Sequence, residues 1–349
     1  MTFSYKICKN SQEWDKALEK CPHATVYHDW KFLKIMEKHS EHSLLGRKTK
    51  ATLYPLICVE GEEPIGLFPL FYYKTPFLRY VFSPPLKIAA TYLGPILLNY
   101  DQLPQQKREN HALELHRVAE QFIATELKAN FIKIRTSPHM PDSRPFIWDG
   151  YKVSTLYNYE IDLKGGTAPL WKTFEKTLRH TITKTQQTGM TLEEGTKEDL
   201  ETLFDRLSGR YAGQGLAIDT TLPFLQELLE KMPENVRLFV IKQDEKYMAG
   251  VILLTYRNTV HTWIGMSRTH IRGIYPNDLL MWKTLEWAYK KGHTSYELTW
   301  ANTYSLCRYK SKYNPNIVPY FSCEKYSPAV SMMRAAKECV TGLRRKRGD

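Results

Sequence analysis

The stretch that decides the fold spans residues 275–314 and reads YPNDLLMWKTLEWAYKKGHTSYELTWANTYSLCRYKSKYN. Pro276 suits the first turn of a helix, and Gly292 suits its end, because the lysines just before Gly292 favour the negative end of the helix dipole. Residues 296–300, which follow, have the composition of a strand. The stretch therefore predicts a helix with matching start and stop signals, then a strand, and then a basic segment at residues 308–314.

Elements of the same kinds recur in the same order in both halves of the chain. In the second half, apolar runs at residues 236–242 and 248–255 flank a polar turn and predict a hairpin, and residues 260–266 predict another strand. The first half offers a comparable hairpin, helix and short strand, at residues 53–60 with 65–73, 113–127 and 131–135. Such an order predicts an α/β (α+β) fold with two tandem domains, each a mixed, mostly antiparallel sheet flanked by helices.

We place these domains at residues 1–150 and 151–349, with the second carrying the main site and ending in a basic tail. Residues 104–108 predict a polar loop inside the first domain. Thr196 and Asp199 have the spacing of a capping box and predict a helix that begins at Lys197.

Composition limits the class of protein. The 349 residues carry 49 Lys+Arg against 37 Asp+Glu, a formal net charge of +12, which favours anionic partners such as phosphates, nucleic acid or acidic lipid. The six cysteines are scattered, with no C-x-x-C and no metal-ligand spacing. We therefore expect a cytoplasmic protein with no bound metal and no membrane-spanning helix.

Three groups of basic residues could bind an anion. Residues 171–184 predict a basic amphipathic helix that carries Arg179 and Lys184 on its polar side, although a solvated charged face is the simpler interpretation of any one residue. The helix at Pro276 offers unpaired N–H groups beside Asn277. The loop before that helix adds Arg268 and Arg272 to the same end.

The third basic group, Arg308, Lys310 and Lys312, follows the strand at residues 296–300. If this segment is extended, Lys310 and Lys312 share a face; an exposed edge with solvated charges is the alternative. Glu297 lies on the strand itself, and once buried it could act as a base. Hydrolytic triads and metal motifs such as G-x-S-x-G and H-E-x-x-H do not occur in the sequence.

With these residues given, the chain resembles the Fem-type branch of the GNAT acyltransferase superfamily, which includes peptidoglycan-bridge aminoacyltransferases. Four blocks in order carry the resemblance: residues 174–184 with Gly189, residues 211–215, residues 249–251 with 276–280, and residues 309–314. In the last block Tyr309 and Asn314 stand where the family favours Phe and Gly in Phe-Lys-x-x-Phe-Gly. Because Asn tolerates the left-handed conformation, we expect the turn at Asn314 to be kept.

The resemblance implies two tandem GNAT-like domains and the transfer of an acyl or aminoacyl group to an amine. Lys310 would hold a donor phosphate or neutralise the oxyanion, and Arg179 and Lys184 would face the same anionic cleft. The remaining candidate donor-binding residues are Arg268, Arg272, Asn277, Arg308 and Lys312, and the acceptor side is assigned to Tyr211, Gln214, Gly215 and Trp263.

The donor is either aminoacyl-tRNA, which we favour, or an acyl-CoA, and neither is expected to be tightly bound. Acetyl-CoA members of the superfamily use a glycine-rich loop on the pyrophosphate, whereas residues 268–275 contain one glycine. A non-enzymatic module that binds RNA or membrane through its basic residues is the third hypothesis. The acceptor is an amine, with a cell-envelope precursor as one candidate, and a basic helix at residues 328–347 could contact anionic membrane.

Overall fold

The structure is a computed structural model and describes residues 2–44, 46–265, 271, 273–328 and 330–332. The chain divides into two compact units. The first unit comprises the described residues of Met1–Leu86, Tyr92–Thr155 and Tyr320–Asp349, and the second comprises those of Lys87–Thr91 and Leu156–Pro319. In the described part of the chain, no helix combines the length and the apolar character needed to cross a membrane.

Each unit draws on both halves of the sequence. The border after Thr155 lies close to the predicted boundary at residue 150, but Lys87–Thr91 belongs to the second unit and Tyr320 belongs to the first. The predicted domains themselves stay a prediction, because compactness alone does not establish which segments fold independently.

The first unit is built on a mixed sheet with helices packed against it. Its strands are β1 (Phe3–Ile7), β2 (His42–Leu44), β3 (Arg47–Thr49), β4 (Thr52–Glu60), β5 (Glu63–Lys74), β6 (Arg79–Ser83), β7 (Ile96–Leu97) and β8 (Phe131–Arg135). Its helices are α1 (Ser11–Glu19), α2 (Trp30–His39), α3 (Gln105–Phe122) and α4 (Arg144–Trp148). Strand neighbours β1, β4, β5 and β6 pair antiparallel, and β6 pairs parallel to β8.

The second unit repeats this plan with one parallel strand pair. Its strands are β9 (Lys152–Asp162, which starts in the first unit), β10 (Thr191–Glu194), β11 (Val236–Gln243), β12 (Lys246–Tyr256), β13 (Thr259–Gly265), β14 (Ser295–Leu298) and β15 (Asn316–Tyr326, which ends in the first unit). Its helices are α5 (Thr167–Thr173), α6 (Lys176–Gln186), α7 (Lys197–Ala212), α8 (Leu222–Lys231), α9 (Pro276–Lys290) and α10 (Tyr304–Lys310). Antiparallel pairing joins β10, β11, β12 and β13, whereas β13 and β14 are parallel because α9 crosses over between them.

The fold class is confirmed: both units are mixed α/β arrangements of mostly antiparallel sheet flanked by helices. The predicted hairpins are β4–β5 and β11–β12. Helix α9 begins at Pro276 and ends before Gly292, as its start and stop signals indicate. Thr196 and Asp199 form the predicted capping box, with the Asp199 N–H donating to Thr196 Oγ1 over 3.3 Å.

Two local predictions are wrong, and the condition attached to a third is not met. Residues 104–108 are not a loop, because α3 begins at Gln105. The amphipathic helix at residues 171–184 is broken into α5 and α6 at Phe174, since the Glu175 N–H donates to the Lys312 carbonyl (2.9 Å) and not to its own helix. The segment around Lys310 is helical, not extended, so Lys310 and Lys312 do not share a strand face.

Candidate active site of the second unit

The parallel strands β13 and β14 separate at their carboxyl ends. Their pairing runs from Thr259 opposite Ser295 to Thr262 opposite Leu298, while β13 continues to Gly265 in contact with β12. In α/β sheets, ligands bind outside the carboxyl ends of strands where neighbouring connections diverge. This end of β13 and β14 is therefore the place in the second unit where a ligand site is expected.

Lys310 lies at this end of β14. The last residue of α10, it is 8% exposed, and its Nζ donates to the carbonyl oxygens of Thr299 and, at 3.4 Å, Trp300. Burial lowers the pKa of Lys310 to about 8, and the charges of Cys307 and Glu297 partly oppose that shift. The chain thus keeps a cation almost out of water at the mouth of the strand pair.

Glu297 is buried on β14 among polar side chains that the sequence did not single out. Its Oε1 accepts a hydrogen bond from Asn158 Nδ2 at 3.0 Å and lies 3.4 Å from His261 Nδ1. His261 is the cross-strand neighbour of Glu297 in the β13–β14 register. A buried carboxylate held by an amide and an imidazole, close enough for its charge to act on Lys310, can accept a proton.

The signal that could have found Asn158 and His261 is their polarity within apolar strands. His261 is buried between Val260 and Thr262 on β13, and Asn158 is buried on β9. In isolation each looks like an ordinary core polar residue. Only the strand register brings them to Glu297.

The first turn of α9 is packed against the carboxyl-terminal half of α6. Thr185 Oγ1 accepts from the Tyr275 N–H (3.1 Å), and Thr181 Oγ1 donates to Asp278 Oδ2 (3.3 Å). Tyr313 OH donates to the other Asp278 oxygen at 3.5 Å. Burial raises the pKa of Asp278, against the opposing effects of hydrogen bonds and of the Lys312 charge. A carboxylate therefore occupies the first turn of α9, where an anion would otherwise be favoured.

Lys184 and Arg179 lie on different flanks of α6. The Lys184 ammonium reaches the segment before α9, where a Cβ on Gly273 would come within 2.9 Å of Nζ. Five residues at about 100° each leave Arg179 about 140° away around the helix, and its buried Nε has no hydrogen-bond partner among the described residues. Asn277 is half-buried, and its Oδ1 likewise lacks a partner in the described part of the chain.

A surface hollow of about 480 Å³ lies beside α10. Arg308 and Lys312 bring positive charge to it, and Glu175 brings one acid; the other lining residues are Thr173, Ser311 and Asn314. Lys310 and Arg179 are not among the residues that line this hollow. The cations predicted to share one cleft thus fall into a buried position at Lys310, the hollow at Arg308 and Lys312, and the start of α9 at Lys184.

The residues assigned to an acceptor lie elsewhere in the second unit. Tyr211 is near the end of α7, and Gln214 and Gly215 are exposed just beyond it. Trp263 is buried on β13, where its indole N–H donates to the Ala89 carbonyl (2.8 Å). Arg268 and Arg272 lie outside the described residues.

Comparison with known proteins identifies the class of domain that carries this site. Residues 172–311 match the family model described as an acetyltransferase (GNAT) domain. The fold is similar to that of FemX, with a TM-score of 0.64 at 14% identity over 92% of this chain and 97% of that one. A comparison with curated protein sequences found no match.

Further solved structures share the fold. One is the C-terminal domain of a putative lysylphosphatidylglycerol synthetase from Agrobacterium fabrum (TM-score 0.52, 13% identity, 94% of this chain and 97% of that one). Another is a tandem GNAT protein from the clavulanic acid biosynthesis pathway (TM-score 0.51, 10% identity, 93% of this chain and 98% of that one). Residues 172–311 of the second unit therefore match a GNAT acetyltransferase domain, and the fold agrees with that match. The predicted resemblance to the Fem-type branch, with its tandem GNAT-like fold, is confirmed at the level of the fold.

The turn that ends the site segment has the expected left-handed residue. Asn314 has φ 51° and ψ 49°, the conformation that glycine would adopt at the corresponding family position. We expect Asn314→Ala to lower the free energy of unfolding by about 1 kcal/mol, and Asn314→Gly to have little effect. Urea unfolding measures both, with Asn316→Ala, in the extended strand β15, as the control. An alanine variant as stable as the wild type would contradict a strained turn.

Proposed function

We propose that this protein transfers an activated acyl group to an amine, with aminoacyl-tRNA as the donor. The observation that carries the proposal is the buried Lys310 ammonium at the carboxyl end of β14, with the buried Glu297 carboxylate near enough to act on its charge. A cation and a proton acceptor at one site are what acyl transfer to an amine requires.

The reaction can be written with these groups alone. The amine nitrogen attacks the carbonyl carbon of the donor ester, and the carbonyl oxygen becomes an oxyanion. An ammonium has three N–H donors, and the Lys310 ammonium gives hydrogen bonds to two carbonyl oxygens, so a third donor is left to stabilise that oxyanion. Glu297 accepts the proton from the attacking nitrogen, the ester C–O bond breaks, and the leaving oxygen takes the proton.

The donor assignment rests on the first turn of α9. A pyrophosphate bound there would meet the buried Asp278 carboxylate, which is fixed by Thr181 and Tyr313. The segment before α9 also has a single glycine for close approach of backbone to phosphate. Arg308 and Lys312 at the neighbouring hollow suit the phosphates of a nucleic acid, which contact a protein as separate charges along a backbone.

An acyl-CoA donor is the second candidate. The family model that matches residues 172–311 is described as an acetyltransferase domain, which favours it. Both donors are found in the cytoplasm, and we propose that location. Contact with anionic membrane through the basic tail stays a prediction, because residues 333–349 lie outside the described residues.

Binding to the full chain distinguishes the donors. We expect a CCA-ended RNA minihelix with an amide-linked amino acid to bind, with an affinity that falls linearly with salt on logarithmic scales. Coenzyme A at the same concentrations should not raise the melting temperature, whereas a ligand at 100 times its Kd stabilises by about 2.7 kcal/mol. Lys312→Met should weaken minihelix binding, and Lys291→Met, an exposed lysine at the end of α9, should not.

The opposite results have definite meanings. Stabilisation by coenzyme A without minihelix binding would replace the first donor with the second. If neither acetyl-CoA nor aminoacyl-tRNA yields a modified amine by mass spectrometry across a panel of amino acids, amino sugars and peptides, the transferase proposal fails. Minihelix binding that is salt-dependent but unaffected by Lys312→Met would support a binding module instead.

A further inference from the structure

A cavity of about 230 Å³ in the first unit lies outside everything assigned so far. It is bounded by the amino-terminal turns of α3 and by the segment that leads into α4. Tyr100, Arg108, Ala112, Met140 and Pro141 are among its lining residues. Its other lining residues are Gln105, Glu109, Asp142 and Arg144, so its walls combine two guanidinium groups and two carboxylates with apolar and aromatic surface.

The two arginines of this cavity differ in how they are paired. Arg144 is paired with both acids of the cavity: its Nε and Nη2 lie 2.8 and 2.9 Å from the two Asp142 oxygens, and Nη2 lies 2.8 Å from Glu109 Oε1. Glu109 also accepts from Gln105 Nε2 at 2.9 Å. Both acids that line the cavity are thus hydrogen-bonded to the one Arg144 guanidinium.

Arg108 has no such partner. Its Nη2 donates to the Asp101 backbone carbonyl (3.1 Å), and its guanidinium lies 4.8 Å from the centre of the Tyr100 ring. Its buried Nε has no hydrogen-bond partner, and no carboxylate pairs with Arg108, among the residues that the structure describes. The Asp101 carboxylate is bound instead to His23, at 3.1 Å. A half-buried arginine that lies over an aromatic ring, with donors left over, is suited to a planar anion.

The start of α3 adds to this charge. Pro104, at the position before the helix, supplies no side-chain acceptor to the free N–H groups of the first turn, and that turn has no acid. Lys107 and Arg108 lie there instead, where the positive end of the helix dipole disfavours cations. An anion bound at Arg108 would relieve that unfavourable arrangement.

We infer that this cavity binds a small organic carboxylate, with Arg108 as the residue that holds the carboxylate group. The apolar side chains of Ala112, Met140 and Pro141 would cover the ligand's short hydrocarbon part. Inorganic phosphate would leave that surface without a partner. The volume is below the range of about 300–1,000 Å³ that is usual for drug-sized ligands, so the ligand is small.

Calorimetric titration of the full chain with N-acetylglycine and with the neutral isostere N-acetylglycinamide tests this inference. We expect the acid to bind at least tenfold more tightly than the amide, which is the ratio that a hydrogen bond to a charged group supplies. Arg108→Met should weaken binding of the acid by about 10- to 100-fold. Arg108→Lys keeps the charge but loses the planar guanidinium, so its affinity for the acid should lie between those of the wild type and Arg108→Met.

The matched control is Arg117→Met, which removes an exposed arginine of the same helix that pairs with Glu114 at 2.7 Å. It should bind N-acetylglycine as the wild type does, and so should Lys310→Met, which separates this site from the proposed transfer reaction. Equal binding of acid and amide, no binding of either, or unchanged binding by a folded Arg108→Met protein would overturn the inference. Tighter binding of inorganic phosphate would also overturn it, in favour of a phosphate site.

Discussion

Replacing Lys310 with methionine is expected to lower kcat/KM by about 100- to 1,000-fold, the loss that follows removal of one donor to a developing oxyanion. The free energy of unfolding should change by less than about 2 kcal/mol, because methionine keeps the buried stem and removes a charge that is costly to bury. The lost hydrogen bonds to Thr299 and Trp300 act in the opposite direction. Activity and stability are therefore expected to separate in this variant.

The pH dependence of stability provides an independent check. Because the pKa of Lys310 is lowered to about 8 from its ordinary 10.5, the unfolded chain binds more protons than the folded chain between these pH values. The contribution of Lys310 to the free energy of unfolding of the wild type should rise as the pH increases from about 8 to 10.5. The free energy of unfolding of the wild type minus that of Lys310→Met should therefore increase from about pH 8 to 10.5. Lys291→Met is the control. A folded Lys310→Met protein with full activity would remove Lys310 from the mechanism.

The parts of the fold that could be predicted are those set by local sequence. Alternating apolar residues and polar turns define the hairpins β4–β5 and β11–β12, and Pro276 and Gly292 bracket α9. The break between α5 and α6 could not be predicted, because it depends on the bond from the Glu175 N–H to the Lys312 carbonyl, far away in sequence. Apolar periodicity continues through Phe174 even though the helix does not.

The site was predictable only in part, for the same reason. The Tyr-Lys-x-x-Tyr-Asn segment predicts a role for Lys310, but the burial of Lys310 against the end of β14 depends on the turn of α10. Asn158 and His261 reach Glu297 through strand pairing, which the composition of β9 and β13 does not reveal. The grouping of Arg179 with Lys310 as a donor site stays a prediction, and neither residue lines the hollow at Arg308 and Lys312.

The change of Glu297 to glutamine is expected to lower kcat/KM by about 100-fold or more through loss of the proton acceptor. Glutamine keeps an oxygen for the hydrogen bond from Asn158 Nδ2, so the local fold should be retained. Glu286→Gln, which alters an α9 carboxylate bound to Lys283 at 2.9 Å, is the control. A substitution that leaves the rate unchanged would show that the proton leaves by another route.

The same variant should also move the alkaline side of the pH–rate profile. In the wild type we expect the rate to fall above pH about 8, as the Lys310 ammonium loses its proton. The Glu297 charge raises the pKa of Lys310, so its removal lets that pKa fall and should shift the alkaline limb of Glu297→Gln to lower pH. If Glu297 had only a structural role, Glu297→Gln would reduce the rate and leave the alkaline limb of the pH–rate profile at its wild-type pH. If the limb stays at its wild-type pH while the rate falls, the two groups do not act at one site, and the proposed pairing of cation and base is wrong.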